Sequence, residues 1–66
     1  MALVNREDMS REIRSLRHRA EEVRTRTKDT HDPDSRRSLL LIAASYDTMA
    51  NRLEATAAHL SLRKAG

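Results

Sequence analysis

Only one interior position of this chain is able to stop a helix. Pro33 is the single proline, and the single glycine, Gly66, is the last residue. Proline keeps the residue before it out of the helical region and suits the first position of a new helix, so Asp32 is predicted to cap a helix beginning at Pro33. We therefore expect two long helices, at about 6–29 and about 33–64, joined by a turn at about 30–32.

The composition favours an all-α fold. The chain has 66 residues, of which 38% are hydrophobic, and its only aromatic residue is Tyr46. Strand-favouring residues and closely spaced turn residues are too few for a small all-β domain, so residues 1–66 are predicted to form a single helical-hairpin domain. The absence of cysteine excludes disulfides, thiolate zinc sites and thiol catalysis.

Small or apolar residues recur at alternating steps of four and three on both sides of the turn. They are Met9, Ile13, Leu16, Ala20, Val23, Thr27 and Thr30 before it, and Leu39, Ile42, Tyr46, Met49, Leu53, Thr56 and Leu60 after it. This spacing is typical of a coiled coil, and a short turn requires the two helices to be antiparallel. If the two series meet directly from the turn, Val23 faces Leu39 and Leu16 faces Tyr46, and Arg17 can reach Asp47.

A lone hairpin of this size has little core, and the second helix carries apolar residues beyond that series. Ala43, Ala50 and Ala57 recur every seven residues beside it, and Leu40 adds a further apolar side chain. A row of small residues lets another helix approach closely, and a second copy is the simplest neighbour. We therefore expect these four residues to mediate self-association into a homodimeric four-helix bundle, and the protein to act as a non-catalytic interaction module, with an unidentified protein as another possible partner.

The charge leaves a second function open. Thirteen Lys and Arg against ten Asp and Glu give a net charge of +3 and a pI of about 10.2, and a basic pI is a feature of nucleic-acid binders. The candidate contacts for RNA or DNA are Arg14, Arg17, Arg24, Arg36 and Arg37. Acidic residues are interspersed with them, and there is no set of aromatic side chains on which bases could stack. Nucleic-acid binding is therefore the alternative to the interaction module.

No pattern in the sequence indicates an enzyme, a metal site or a cofactor site. His18 and Glu22 are one helical turn apart, but this spacing is common on exposed helices. The longest apolar run, 39–44, is far shorter than the roughly 20 residues that cross a bilayer. We expect a soluble, cytoplasmic protein that is not an enzyme.

Three segments carry a resemblance to a known group of proteins. They read R-A-E-E from Arg19, D-P-x-x-R from Asp32, and L-L-x-I-A-x-x-Y-D-x-x-A-x-x-x-E from Leu39 to Glu54. The chain resembles short helical-hairpin proteins of α-proteobacteria over about half its length, although an aromatic residue that often precedes their first helix is missing here. The resemblance implies a helical hairpin and carries no activity with it.

Overall fold

The protein is a two-helix hairpin. The computed structural model describes the backbone of residues 6–65 and the side chains of residues 6–60. Helix α1 spans Arg6–Lys28 and helix α2 spans Pro33–Ala65, and the two pack against each other. The structure shows no strand within residues 6–65. The predicted all-α helical hairpin is confirmed; the sequence placed its helices at about 6–29 and about 33–64.

Asp32 caps α2 as its position before Pro33 predicts. The Ser35 backbone N–H donates to Asp32 Oδ2 at 2.9 Å, and the Arg36 N–H donates to the Asp32 carbonyl at 2.9 Å. The Ser35 backbone N–H, and after it the Ser35 side chain, lower the pKa of the Asp32 carboxyl by hydrogen bonding to its charged form. The start of α2 is therefore fixed by a charge-assisted cap.

Two threonines satisfy carbonyl groups at the end of α1. The Thr27 hydroxyl donates to the Arg24 carbonyl at 2.5 Å, and the Thr30 hydroxyl donates to the Arg26 carbonyl at 2.9 Å. The basic residues Arg26 and Lys28 lie in this last turn, where they complement the negative end of the helix dipole. The Arg26 carbonyl also accepts the Asp29 backbone N–H at 3.1 Å, and the Thr27 carbonyl accepts the Thr30 N–H at 3.2 Å, so these two carbonyls at the end of α1 have partners.

The most fully buried side chains between the helices are small. The buried residues among those whose side chains are described are Met9, Leu16, Ala20, Thr27, Ala43 and Ala50. Ala20 and Ala50 are fully buried, with 0% of their surface exposed. Alanine on both helices lets the backbones approach closely, and Met9 and Leu16 are the larger side chains buried with them.

The predicted register between the helices is wrong. Arg24 pairs with Asp47 and Arg17 with Glu54, whereas the predicted register set these arginines opposite residues 38 and 45. The displacement along α2 is nine residues for each pair. It arises because residues after α1 run beside the first turns of α2: Thr30 lines one surface depression together with Asp34 and Leu39. The buried series of α2 through Ala43 and Ala50 has the same alternation of threes and fours as the predicted series through Ile42 and Met49, so spacing alone could not detect the change.

Candidate self-association surface

One side of the hairpin is held by ion pairs between the helices. Arg24 contacts Asp47 across the helices and Glu21 on its own helix, the latter at 2.6 Å. Arg17 contacts Glu54 and donates to Asn51 Oδ1 at 3.2 Å. The pKa of the Arg24 guanidinium is raised, chiefly because it donates a hydrogen bond to Asp47. We call this the ion-pair side.

The opposite side is open and apolar at its centre. Val23 of α1 and Tyr46 of α2 line one shallow depression there, and its lining from α1 includes Arg19, Glu22 and Arg26. Tyr46 and Val23 are both half-buried, whereas the three charged residues are exposed. This apolar side therefore changes character across its width, from charged on α1 to apolar on α2.

Apolar side chains run along the α2 half of the apolar side. They follow each other at steps of three, four or seven residues and form what we call the α2 stripe: Leu39, Ile42, Tyr46, Met49, Leu53 and Leu60. Ile42, Met49 and Leu60 are 45%, 42% and 43% exposed, respectively. The stripe is roughly 30 Å long at 1.5 Å per residue. Exposed apolar side chains aligned on one side of a helix are a candidate interaction surface, although Thr56 lies between Leu53 and Leu60 in this row.

Two hydroxyl groups near the stripe are turned back onto their own helix. Ser45 Oγ donates to the Leu41 carbonyl at 3.1 Å, and Thr56 Oγ1 donates to the Arg52 carbonyl at 3.0 Å. Their hydrogen-bonding capacity is thus partly used within α2. The surface can be covered without leaving these donors unsatisfied.

The four residues predicted to mediate self-association do not belong to the α2 stripe. Ala43 and Ala50 are 1% and 0% exposed within the hairpin, so they have almost no surface left for a second copy. Ala57 is half-buried. Leu40 is 49% exposed but precedes Asp47 by one heptad, which places it toward the ion-pair side. Ala43 and Ala50 pack on α1. Small residues allow two helices to pack closely within one chain just as they do between two chains.

The apolar spacing of α2 assigns some exposed residues to the contact between the helices. The alternation of threes and fours predicts that Ile42 and Met49 pack between the two helices, whereas both are exposed. The paired charges could have corrected this, because Arg17 and Arg24 are seven residues apart and so are Asp47 and Glu54. Matching these two charge rows selects the observed register and turns the alanines toward α1.

The five candidate nucleic-acid arginines are spread along the length of the hairpin, and two of them are paired with acidic residues. Arg17 and Arg24 are engaged by carboxylates of α2. Arg14 lies ten residues before Arg24, or roughly 15 Å along the axis, and lines a depression at the start of α1 that also contains Glu7. Arg36 and Arg37 are exposed in the first turns of α2. Their positive charge is therefore divided among separate places.

The remaining side chains give little chemistry to a site. His18 Nε2 lies 3.7 Å from Glu22 Oε2, with both side chains largely exposed. Among the described residues, no three His, Cys, Asp or Glu side chains are grouped closely enough to hold a metal ion. Within the same part of the chain, neither helix has an apolar stretch long enough to cross a membrane. Comparison with known protein families, with curated proteins and with solved structures gave no match.

Proposed function

We propose that this protein is a non-catalytic interaction module that self-associates through the α2 stripe into a homodimeric four-helix bundle. The observation that carries the proposal is the exposure of Ile42, Met49 and Leu60 along one side of α2. Full burial of such side chains contributes about 1.5–3 kcal/mol each, and roughly half of their surface is still available for burial. Covering the stripe in two copies at once gives a substantial driving force for association.

The dimensions of the hairpin suit such an interface. Its extents are 51 × 19 × 17 Å, so a broad face presents roughly 1,000 Å² in projection. A stable protein interface buries about 800 Å² per partner. One face of the hairpin is therefore large enough, and a two-fold dimer is the commonest way for a chain to cover its own face.

A charge placed in the stripe tests the proposal. Met49→Glu should shift the protein from dimer to monomer in sedimentation equilibrium at micromolar concentration, and helicity measured by circular dichroism should fall on dilution. The matched control is Ala44→Glu, which adds the same charge to an exposed position of the same helix away from the stripe. This control should remain dimeric.

Three outcomes contradict the proposal. An unmodified chain that is a stably folded monomer at micromolar concentration excludes self-association as its function. A Met49→Glu variant that dimerises as tightly as the unmodified chain shows that the stripe is not the interface. Equal dissociation of Met49→Glu and Ala44→Glu attributes the effect to net charge rather than to the stripe.

A further inference from the structure

We infer that the two copies pack with α2 antiparallel against α2 of the partner and with their turns at opposite ends of the bundle. This orientation rests on the proposed self-association and adds which helices meet. Two hairpins that meet through the same face around a two-fold axis have two arrangements. An axis parallel to the helices stacks each α2 on the partner's α1, with both turns at one end. An axis across the helices stacks like helix on like helix, with the turns at opposite ends.

The two arrangements differ in what they bury, because the α2 half of the apolar side is apolar and its α1 half is charged. Its α2 half is the apolar stripe, whereas Arg19, Glu22 and Arg26 line its α1 half. Glu12 precedes Arg19 by one heptad and continues that charged edge. Stacking α2 on the partner's α1 would cover these charged groups with the side chains of Ile42 and Met49. Burial of charges without partners is costly, so this arrangement is disfavoured.

Packing α2 on the partner's α2 and α1 on the partner's α1 suits both halves of the apolar side. The stripe of one copy then covers the stripe of the other, with Met49 near the middle and Leu39 of one copy toward Leu60 of its partner. The α1 half carries both signs, with Glu12 and Glu22 among Arg19 and Arg26, so antiparallel α1 helices can set opposite charges beside each other. Arg52 lies at the outer edge of the stripe, where a long side chain keeps its charge in water.

Introduced single cysteines can report the orientation of the two copies through disulfide formation. The unmodified chain has no cysteine, so no other disulfide can form. Ser38 and His59 are both exposed, occupy the same heptad position of α2 and are three heptads apart, or roughly 30 Å along the axis. In the inferred arrangement, Ser38 of one copy lies near His59 of the other. An equimolar mixture of Ser38→Cys and His59→Cys should therefore form the mixed disulfide, while Ser38→Cys alone should form little.

Electron spin resonance provides a second measurement on the intact dimer. Spin labels on Ser38→Cys should be separated by roughly 30 Å or more in the inferred arrangement, but by less than about 20 Å if both turns lie at one end. A dimer with the short separation, or with efficient self-crosslinking of Ser38→Cys, overturns the inferred orientation and leaves the proposed self-association intact. An unlabelled chain that sediments as a monomer overturns both.

Discussion

The side chains between the helices differ from those left exposed on α2 in size, because the most fully buried residues of the contact are alanines. Ala20, Ala43 and Ala50 have almost no exposed surface, and they lose no side-chain entropy when buried. Their small size brings the helices close together, which leaves Ile42 and Met49 outside the contact. The residue that packs inside the hairpin and the residue available to a partner are thus neighbours in sequence.

The cap residue Asp32 makes the stability of the hairpin sensitive to acid. Its pKa is lowered in the folded protein because the Ser35 N–H, and then the Ser35 side chain, donate to the carboxylate. A carboxyl whose pKa is lower when folded stabilises the fold above its unfolded pKa, near the ordinary value of 3.8, and this contribution is lost as the pH falls toward the folded value. We therefore expect the melting temperature to decrease as the pH is lowered from the ordinary pKa of 3.8 toward the lower pKa of the folded protein.

The substitution Asp32→Asn isolates this contribution, because asparagine is also a good helix cap but does not titrate. The difference in melting temperature between the unmodified chain and Asp32→Asn should be largest near neutral pH and should shrink below about pH 4. Asp32→Ala, which removes the cap, should lower the melting temperature by several degrees at neutral pH. A difference that does not change with pH would show that the Asp32 charge does not support the cap.

At the scale of the helices, the sequence predicts where each helix begins and ends but leaves open which face of α2 packs on α1. Pro33 and Asp32 are sufficient to predict where α2 begins, because their effect on the backbone needs no information from elsewhere in the chain. The sequence does not determine which side of α2 packs on α1, because the series through Ala43 and Ala50 has the same three-four spacing as the series through Ile42. Apolar spacing alone could therefore predict a hairpin but not its register, nor which stripe stays exposed.

The ion pairs supply the information that spacing lacks. Among registers one heptad apart, the observed one sets Arg24 against Asp47 and Arg17 against Glu54. Exposed ion pairs contribute little free energy, but a shift of one heptad in either direction keeps only one of the two pairs, Arg17 with Asp47 or Arg24 with Glu54. We therefore expect these pairs to matter more for the choice of register than for overall stability.

A charge swap tests the role of the Arg24 pair. Arg24→Asp sets two carboxylates against each other and should lower the melting temperature, and adding Asp47→Arg should recover most of the loss. Arg14→Asp is the matched control, because it makes the same change at an exposed position of α1 and should not be rescued by Asp47→Arg. Equal melting temperatures for Arg24→Asp with and without Asp47→Arg would show that the two residues are not coupled.

Over the whole molecule, the charge is more balanced than the pI suggests. The net charge is only +3, and acidic residues accompany arginines on both sides of the hairpin: Glu54 and Asp47 contact Arg17 and Arg24, and Glu22 lies near Arg19 and Arg26. Opposite charges at short range reduce the positive potential felt by a polyanion. Such a distribution favours a protein partner over a phosphate backbone.

Salt dependence separates the interaction module from the nucleic-acid alternative. A protein that neutralises several phosphates releases counterions, so its affinity falls steeply with salt. We expect the binding of duplex DNA or of an RNA hairpin, measured by fluorescence anisotropy, to be weak and confined to low salt. Affinity at micromolar level or tighter near 0.15 M salt, where the Debye length is about 8 Å, would instead support nucleic-acid binding.

The arginines of α2 offer a control on that measurement. Arg36 and Arg37 are exposed and remote from the α2 stripe's centre at Met49, so replacing both with Gln should leave the dimer intact. If these residues contact phosphates, the double substitution should reduce the slope of log affinity against log salt by roughly one to two. An unchanged slope would exclude both arginines from any binding that is observed. Residual weak binding would then reflect only the small net charge of the chain, because a diffuse charge attracts polyanions without a dedicated surface.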